Sequence, residues 1–133
     1  MGGVRLKILL DTHTFIWWDS NPTKLSAAAL GLCSDPSNEV ILSVASLWEM
    51  QIKRQLGKLE LRLPLVEIMT HQRETNGLVT LPVLDTHVLA LEGLASHHSD
   101  PFDRLLVAQA MVEGATLVSV DPALSRYPVE VRW

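Results

Sequence analysis

Asp11 closes the apolar run Ile8-Leu9-Leu10, and Asp121 closes Leu117-Val118-Ser119-Val120. Glu49 stands about two turns into a helical pattern that follows Val40-Ile41-Leu42. Asp100 and Asp103 flank Pro101 ahead of Leu105-Leu106-Val107-Ala108. Carboxylates gathered at one place repel one another and push their pKa values up. A hard divalent cation removes that cost: Mg²⁺ takes oxygen ligands, keeps several waters, and is held by a few carboxylates plus a substrate phosphate. Such a site suits phosphoryl or phosphodiester chemistry. Each acid also has a purely local role open to it. Asp11 and Asp121 can cap the helical turns after them, Asp121 with Pro122 at the first position. Glu49 can pair with Lys53 one turn on, a contact worth only ~0.2–0.5 kcal/mol. Asp100 and Asp103 together fit a cap followed by an acid in the first turn. Taken singly, capping is the better account of each acid; taken together, convergence on a cation is, because Glu49 lies in the mostly apolar stretch Ser46-Leu47-Trp48-Glu49-Met50.

Convergence depends on the elements that carry the acids. Strands are expected at Leu6–Leu10, Val40–Leu42, Leu78–Leu81, Thr116–Val120 and Val129–Val131, rich in Val, Ile and Leu and without polar alternation. Between them the sequence predicts helices over Thr12–Trp18, Ala27–Cys33 behind Ser26, Ser43–Leu56 ending at Gly57, and Pro64 to about Thr75. Further helices are expected over Thr86–Leu94 behind Asp85, and over Pro101–Val112 behind Asp100 and ending at Gly114, with a helical turn at Pro122–Arg126. The alternation implies one α/β domain: a parallel sheet of four to five strands with helices on both faces. In open parallel sheets, sites form beyond the carboxyl ends of the strands. Asp11, Glu49, Asp103 and Asp121 fall there.

The chain of 133 residues, 47% hydrophobic and 20% charged, fits one globular core. Cys33 is the only cysteine, so an internal disulfide is excluded and a reducing compartment is expected. Met1 to Lys7 carries no apolar leader, and no run is long enough to span a membrane, so a cytoplasmic protein is expected. A net charge of −4 argues against a general nucleic-acid coat. It leaves a nucleic-acid enzyme open, since bound cations invert the charge of an acidic site.

Four stretches, in order and in register, carry a resemblance. They are Leu9-Leu10-Asp11-Thr12-His13, Leu42-Ser43-Val44-Ala45-Ser46-Leu47-Trp48-Glu49-Met50, His97-His98-Ser99-Asp100-Pro101-Phe102-Asp103-Arg104-Leu105-Leu106, and Leu117-Val118-Ser119-Val120-Asp121. With them the chain resembles the PIN-domain family over residues 1–133, specifically the VapC-type toxins of bacterial type II toxin–antitoxin systems. The resemblance implies a metal-dependent endoribonuclease whose catalytic and metal-holding acids are Asp11, Glu49, Asp103 and Asp121. Mg²⁺ or Mn²⁺ is the implied cofactor and RNA the implied substrate. Asp100 matches a further acid of the subgroup and is expected to act chiefly as the helix cap. Ser119 stands where many relatives carry Thr, which keeps the hydroxyl. Thr12 and Ser46 have hydroxyls near these acids, and orienting them, touching phosphate or capping locally all remain open. The resemblance also implies a VapB-type antitoxin and a homodimer. Trp48, Ile52 and Leu56 are the expected antitoxin groove.

Other residues admit narrower readings. His97-His98 lacks the Cys/His spacing of a zinc site and is expected to be loop beside the acids. Trp17-Trp18 cannot both face a core from one regular helix, and packing is favoured over base stacking for these and for Trp48. Lys53-Arg54 with Lys58 is a solvated face or a phosphate contact. A receiver-like phospho-acceptor domain shares the length and α/β order, but needs paired acids at the first strand and a Lys after a late one. A non-catalytic PIN scaffold would lack acids that are present here, and carboxylates alone do not distinguish RNA from DNA. If the acids repel without metal, Asp11→Asn or Asp121→Asn should leave the metal-free melting temperature unchanged or raised.

Overall fold

A computed structural model describes residues 5–133; the expectation of a leader-free start falls in part on Met1 to Val4, outside them. The apolar runs become β1 (Lys7–Leu10), β2 (Glu39–Ser43), β3 (Val79–Leu81), β4 (Thr116–Val118) and β5 (Val131–Arg132). They form one sheet in the order β3-β2-β1-β4-β5, and every pairing is parallel. Side chains alternate across it: Ile8 and Leu10 pack with Phe15, Met50 and Ile68, whereas Leu9 packs with Leu106, Val107 and Leu117. Both destinations are apolar, so the strands need no polar positions.

The first face is covered by α1 (Thr12–Ser20), α2 (Ala27–Ser34), α3 (Val44–Gln55) and α4 (Leu65–Asn76). The second is covered by α6 (Pro101–Glu113), on which α5 (Asp85–Ala90) rests. Helices α4 and α6 stop at Gly77 and Gly114, whose φ values of 66° and 65° are left-handed and free of a Cβ penalty. Trp18 turns into the core while Trp17 packs edge-on against Trp133 at 5.9 Å, so the adjacent tryptophans separate as expected.

Of the boundaries that differ from the sequence expectation, three have a visible cause. Asp85 lies inside α5 instead of capping it, because the His87 ring takes the Leu84 N–H at 3.0 Å through Nδ1. The fourth strand ends at Val118, because the Ser119 hydroxyl accepts the Asp121 N–H at 3.1 Å and turns the chain outward. The last strand is Val131–Arg132, fixed where Leu117 and Ser119 donate to the carbonyls of Glu130 and Arg132. No helix among the described residues is long and apolar enough to cross a membrane.

The strand order reverses direction at β1: β2 follows on one side and β4 lies on the other. Beyond the carboxyl ends of β1 and β4 the two connections diverge and leave a crevice.

Candidate functional site

Asp11 leaves β1 with its N–H on the Val118 carbonyl at 3.2 Å, so it sits where β1 and β4 end side by side. Its Oδ1 accepts the Thr14 N–H at 2.8 Å as the cap of α1, and its Oδ2 accepts the Ser119 hydroxyl at 2.5 Å. Capping and convergence are therefore carried by different oxygens of one carboxylate. Glu49 is only 5% exposed on α3. The Thr12 hydroxyl donates to its Oε1 at 2.6 Å, and Lys53 donates to Oε2 at 2.8 Å, the expected one-turn pair. That bond holds the Lys53 ammonium's pKa above the ordinary lysine value.

Asp100 caps α6, its Oδ1 accepting the N–H of Phe102 at 2.8 Å and of Asp103 at 3.4 Å. Asp121 caps the 3₁₀ segment Pro122–Arg126 through Ala123 N–H at 2.9 Å, which together with His98 lowers its carboxyl pKa. Asp103 is different. Its side chain is 22% exposed and, among the described residues, has no Lys or Arg partner. Burial, and then the charge of Asp100, push its pKa up to about 6, with Asp11 and Glu49 adding to the repulsion and His98 opposing it.

Asp11, Glu49, Asp100, Asp103 and Asp121 line one open cavity of about 430 Å³, along with His13, Trp17 and Lys53. The oxygen-rich donor set and the frustrated Asp103 carboxylate fit a hard divalent cation. Ser46 does not line this cavity; its hydroxyl is buried without a partner in the structure. His98 is the residue that sequence reasoning undervalued. Its ring stands inside the acid cluster, with Nε2 3.0 Å from Asp121 Oδ2 and 3.4 Å from Asp103 Oδ2. One ligand atom from each of His98, Asp103 and Asp121 lies within 4.8 Å of the others. The available signal was its position two residues before a capping aspartate, which lets a ring fold back on the cap's own N–H. His97 instead packs on Tyr127 at 5.1 Å.

The raised value of Asp103 gives a pH-dependent expectation. Between about pH 4 and 6 the folded protein keeps a proton on this group that the unfolded chain has released. Its contribution to stability is therefore greatest below pH 4 and is lost as the pH rises through 6. Asp103→Asn in EDTA should melt like the wild type near pH 4. Above pH 7 it should be more stable by on the order of 1–2 kcal/mol, reduced for partial exposure and amounting to several degrees. A lower melting temperature for the variant at neutral pH would contradict this. The repulsion thus bears on Asp103 rather than on Asp121, whose carboxylate is stabilised by its hydrogen bonds.

Trp48, 64% exposed, packs edge-on against Phe102 at 5.6 Å. With Ile52, Val83, Val88 and Leu105 it lines a second, almost wholly apolar groove of about 790 Å³ on the side of α3 facing α5 and α6. Leu56 corrects the sequence expectation. It caps the C-terminus of α3 with its side chain exposed and lies outside this groove.

The family model described as "PIN domain" matches residues 8–130. Ribonuclease VapC22 of Mycobacterium tuberculosis is 29% identical over 118 residues, covering 88% of this chain and 88% of that protein. VapBC2 of Rickettsia felis, bound to a DNA fragment from its promoter, superposes with a TM-score of 0.70 at 16% identity, over 96% of this chain and 98% of that one. DNA-bound VapBC of Salmonella typhimurium gives a TM-score of 0.63 at 16% identity, over 96% and 97%. At such identities these two similarities establish the fold.

Proposed function

Because the chain belongs to the PIN domain family, we propose that it is a divalent-cation-dependent endoribonuclease toxin that cuts RNA phosphodiester bonds and is held in check by a VapB-type antitoxin. The observation that carries this reading is the meeting of five carboxylates in one crevice at the ends of β1 and β4. The likeness to Ribonuclease VapC22 supports RNA as the substrate class. The receiver-like alternative gives way to the family match, and a non-catalytic scaffold has no use for the acid cluster. The whole chain is read as one PIN domain acting in the cytoplasm.

In this reading Asp11, Asp103 and Asp121 hold Mg²⁺ or Mn²⁺, and Glu49 binds directly or through water. When bound, such a cation supplies an activated water at neutral pH and neutralises charge on the phosphate. The chain's own residues supply position. Ser119 and Thr14 each hold one oxygen of Asp11, fixing the carboxylate where it lines the cavity. Thr12 and Lys53 fix Glu49 in the same way. Lys53 also sets a positive charge on the wall of an acidic cavity, where it can face a substrate phosphate. Asp100 orients Asp103 indirectly, by starting the helix that carries it.

RNA cleavage by purified, antitoxin-free protein tests the proposal. Added Mg²⁺ or Mn²⁺ should support cleavage. DNA cleaved as fast as RNA under the same conditions would overturn the ribonuclease assignment while leaving the metal site standing.

A further inference from the structure

His98 enters the acid crevice from the loop that leads into α6. Its Nδ1 accepts a hydrogen bond from the Asp100 backbone N–H at 3.0 Å. A backbone amide can only donate, so Nδ1 carries a lone pair and the neutral ring holds its proton on Nε2. That N–H points between the Oδ2 atoms of Asp121 and Asp103, at 3.0 and 3.4 Å. The loop is anchored separately, by the His98 backbone N–H on the Tyr127 hydroxyl at 2.8 Å.

Asp103 and Asp121, if they hold Mg²⁺, would offer it these same oxygens. The Nε2–H already engages the Asp121 oxygen and lies beside that of Asp103, so a positive hydrogen faces the charge a cation would need. Ligation through Nε2 is closed to the ring in this orientation, because Nδ1 is committed as an acceptor and removing the second proton would leave an imidazolate. The Nε2 hydrogen and a cation held by both oxygens therefore compete for the same negative charge. We propose that His98 is a built-in competitor for the metal site: its Nε2–H, bonded to Asp121 and beside Asp103, must give way when these oxygens take up a divalent cation. This rests on the reading of Asp103 and Asp121 as cation ligands. Its consequence is a metal affinity lower than the number of acids alone would give.

The test is calorimetric titration of Mn²⁺ into the wild type, His98→Ala and Asp103→Asn, with ¹⁵N-histidine spectra of the wild type alongside. His98→Ala keeps the backbone anchor to Tyr127 and loses the competing ring, together with its acceptor for the Asp100 N–H. It should bind Mn²⁺ about tenfold tighter, since hydrogen bonds to carboxylates are among the stronger ones. In the wild type, the Nε2-protonated signal of His98, assigned by its disappearance in His98→Ala, should shift on saturation with diamagnetic Mg²⁺. Equal or weaker Mn²⁺ binding by His98→Ala overturns the inference, and so does a His98 signal that Mg²⁺ leaves unmoved. If the wild type binds Mn²⁺ no better than Asp103→Asn, the metal reading falls and this inference falls with it.

Discussion

Asp103→Asn and Asp11→Asn are each expected to lower RNA cleavage by about a hundredfold or more while the fold persists. Removing even a supporting partner of a metal ligand typically costs about 10–100-fold, and these two carboxylates are proposed as ligands themselves. Asn at position 11 can still accept the Thr14 N–H as a cap, so α1 should survive the change. Asp100→Asn separates local from functional roles. Asn caps as well as Asp, and Asp100 spends its Oδ1 on two backbone N–H groups. Its loss should therefore be about tenfold at most, smaller than an outer-shell effect at its upper limit. Steady-state cleavage rates, with circular dichroism as the control for folding, decide the ranking. A loss for Asp100→Asn equal to that for Asp103→Asn would make Asp100 a ligand rather than a cap.

The second large effect concerns the partner. An enzyme that cuts RNA harms its own cell unless it is blocked, and the almost wholly apolar groove beside α3 offers a surface to a blocking segment. Trp48 and Ile52 line it, and burial of an exposed aromatic anchor commonly carries about 2 kcal/mol of binding, or roughly thirtyfold. We expect a small antitoxin encoded beside this protein, whose coexpression abolishes toxicity, and a double change Trp48→Ala, Ile52→Ala that weakens the complex by at least that factor. Leu56→Ala should leave the complex unchanged, since Leu56 lies outside the groove. An intact antitoxin complex combined with loss of the homodimer would assign this face to a second copy of the chain instead.

The sheet was legible because its strands carry one message: short runs of Ile, Leu and Val buried on both faces, separated by helix-length polar patterns. Gly77 and Gly114 marked the ends of α4 and α6 for the same reason, since their backbone is left-handed there. The acids could be placed at one edge once the strands were placed, because all but Glu49, which lies within α3, follow a strand or open a helix. Side-chain pairing across the fold was not legible. Ser119 reaching Asp11 spans 108 residues, and Thr12 reaching Glu49 spans 37; no local spacing encodes either contact. His98 was hidden for a related reason. Its ring is oriented by the Asp100 N–H, a contact within its own loop, but its partner Asp121 comes from the other side of the crevice.

The most direct measurement is cleavage of a defined RNA by the purified protein in EDTA, followed by restoration with Mn²⁺ or Mg²⁺, with Asp103→Asn prepared identically to expose any contaminating nuclease. The expected result is no cleavage in EDTA, recovery on adding the metal, and no recovery for Asp103→Asn. Wild-type cleavage that proceeds undiminished in EDTA, or a variant that recovers as fully as the wild type, would contradict a carboxylate-held cation as the basis of the activity.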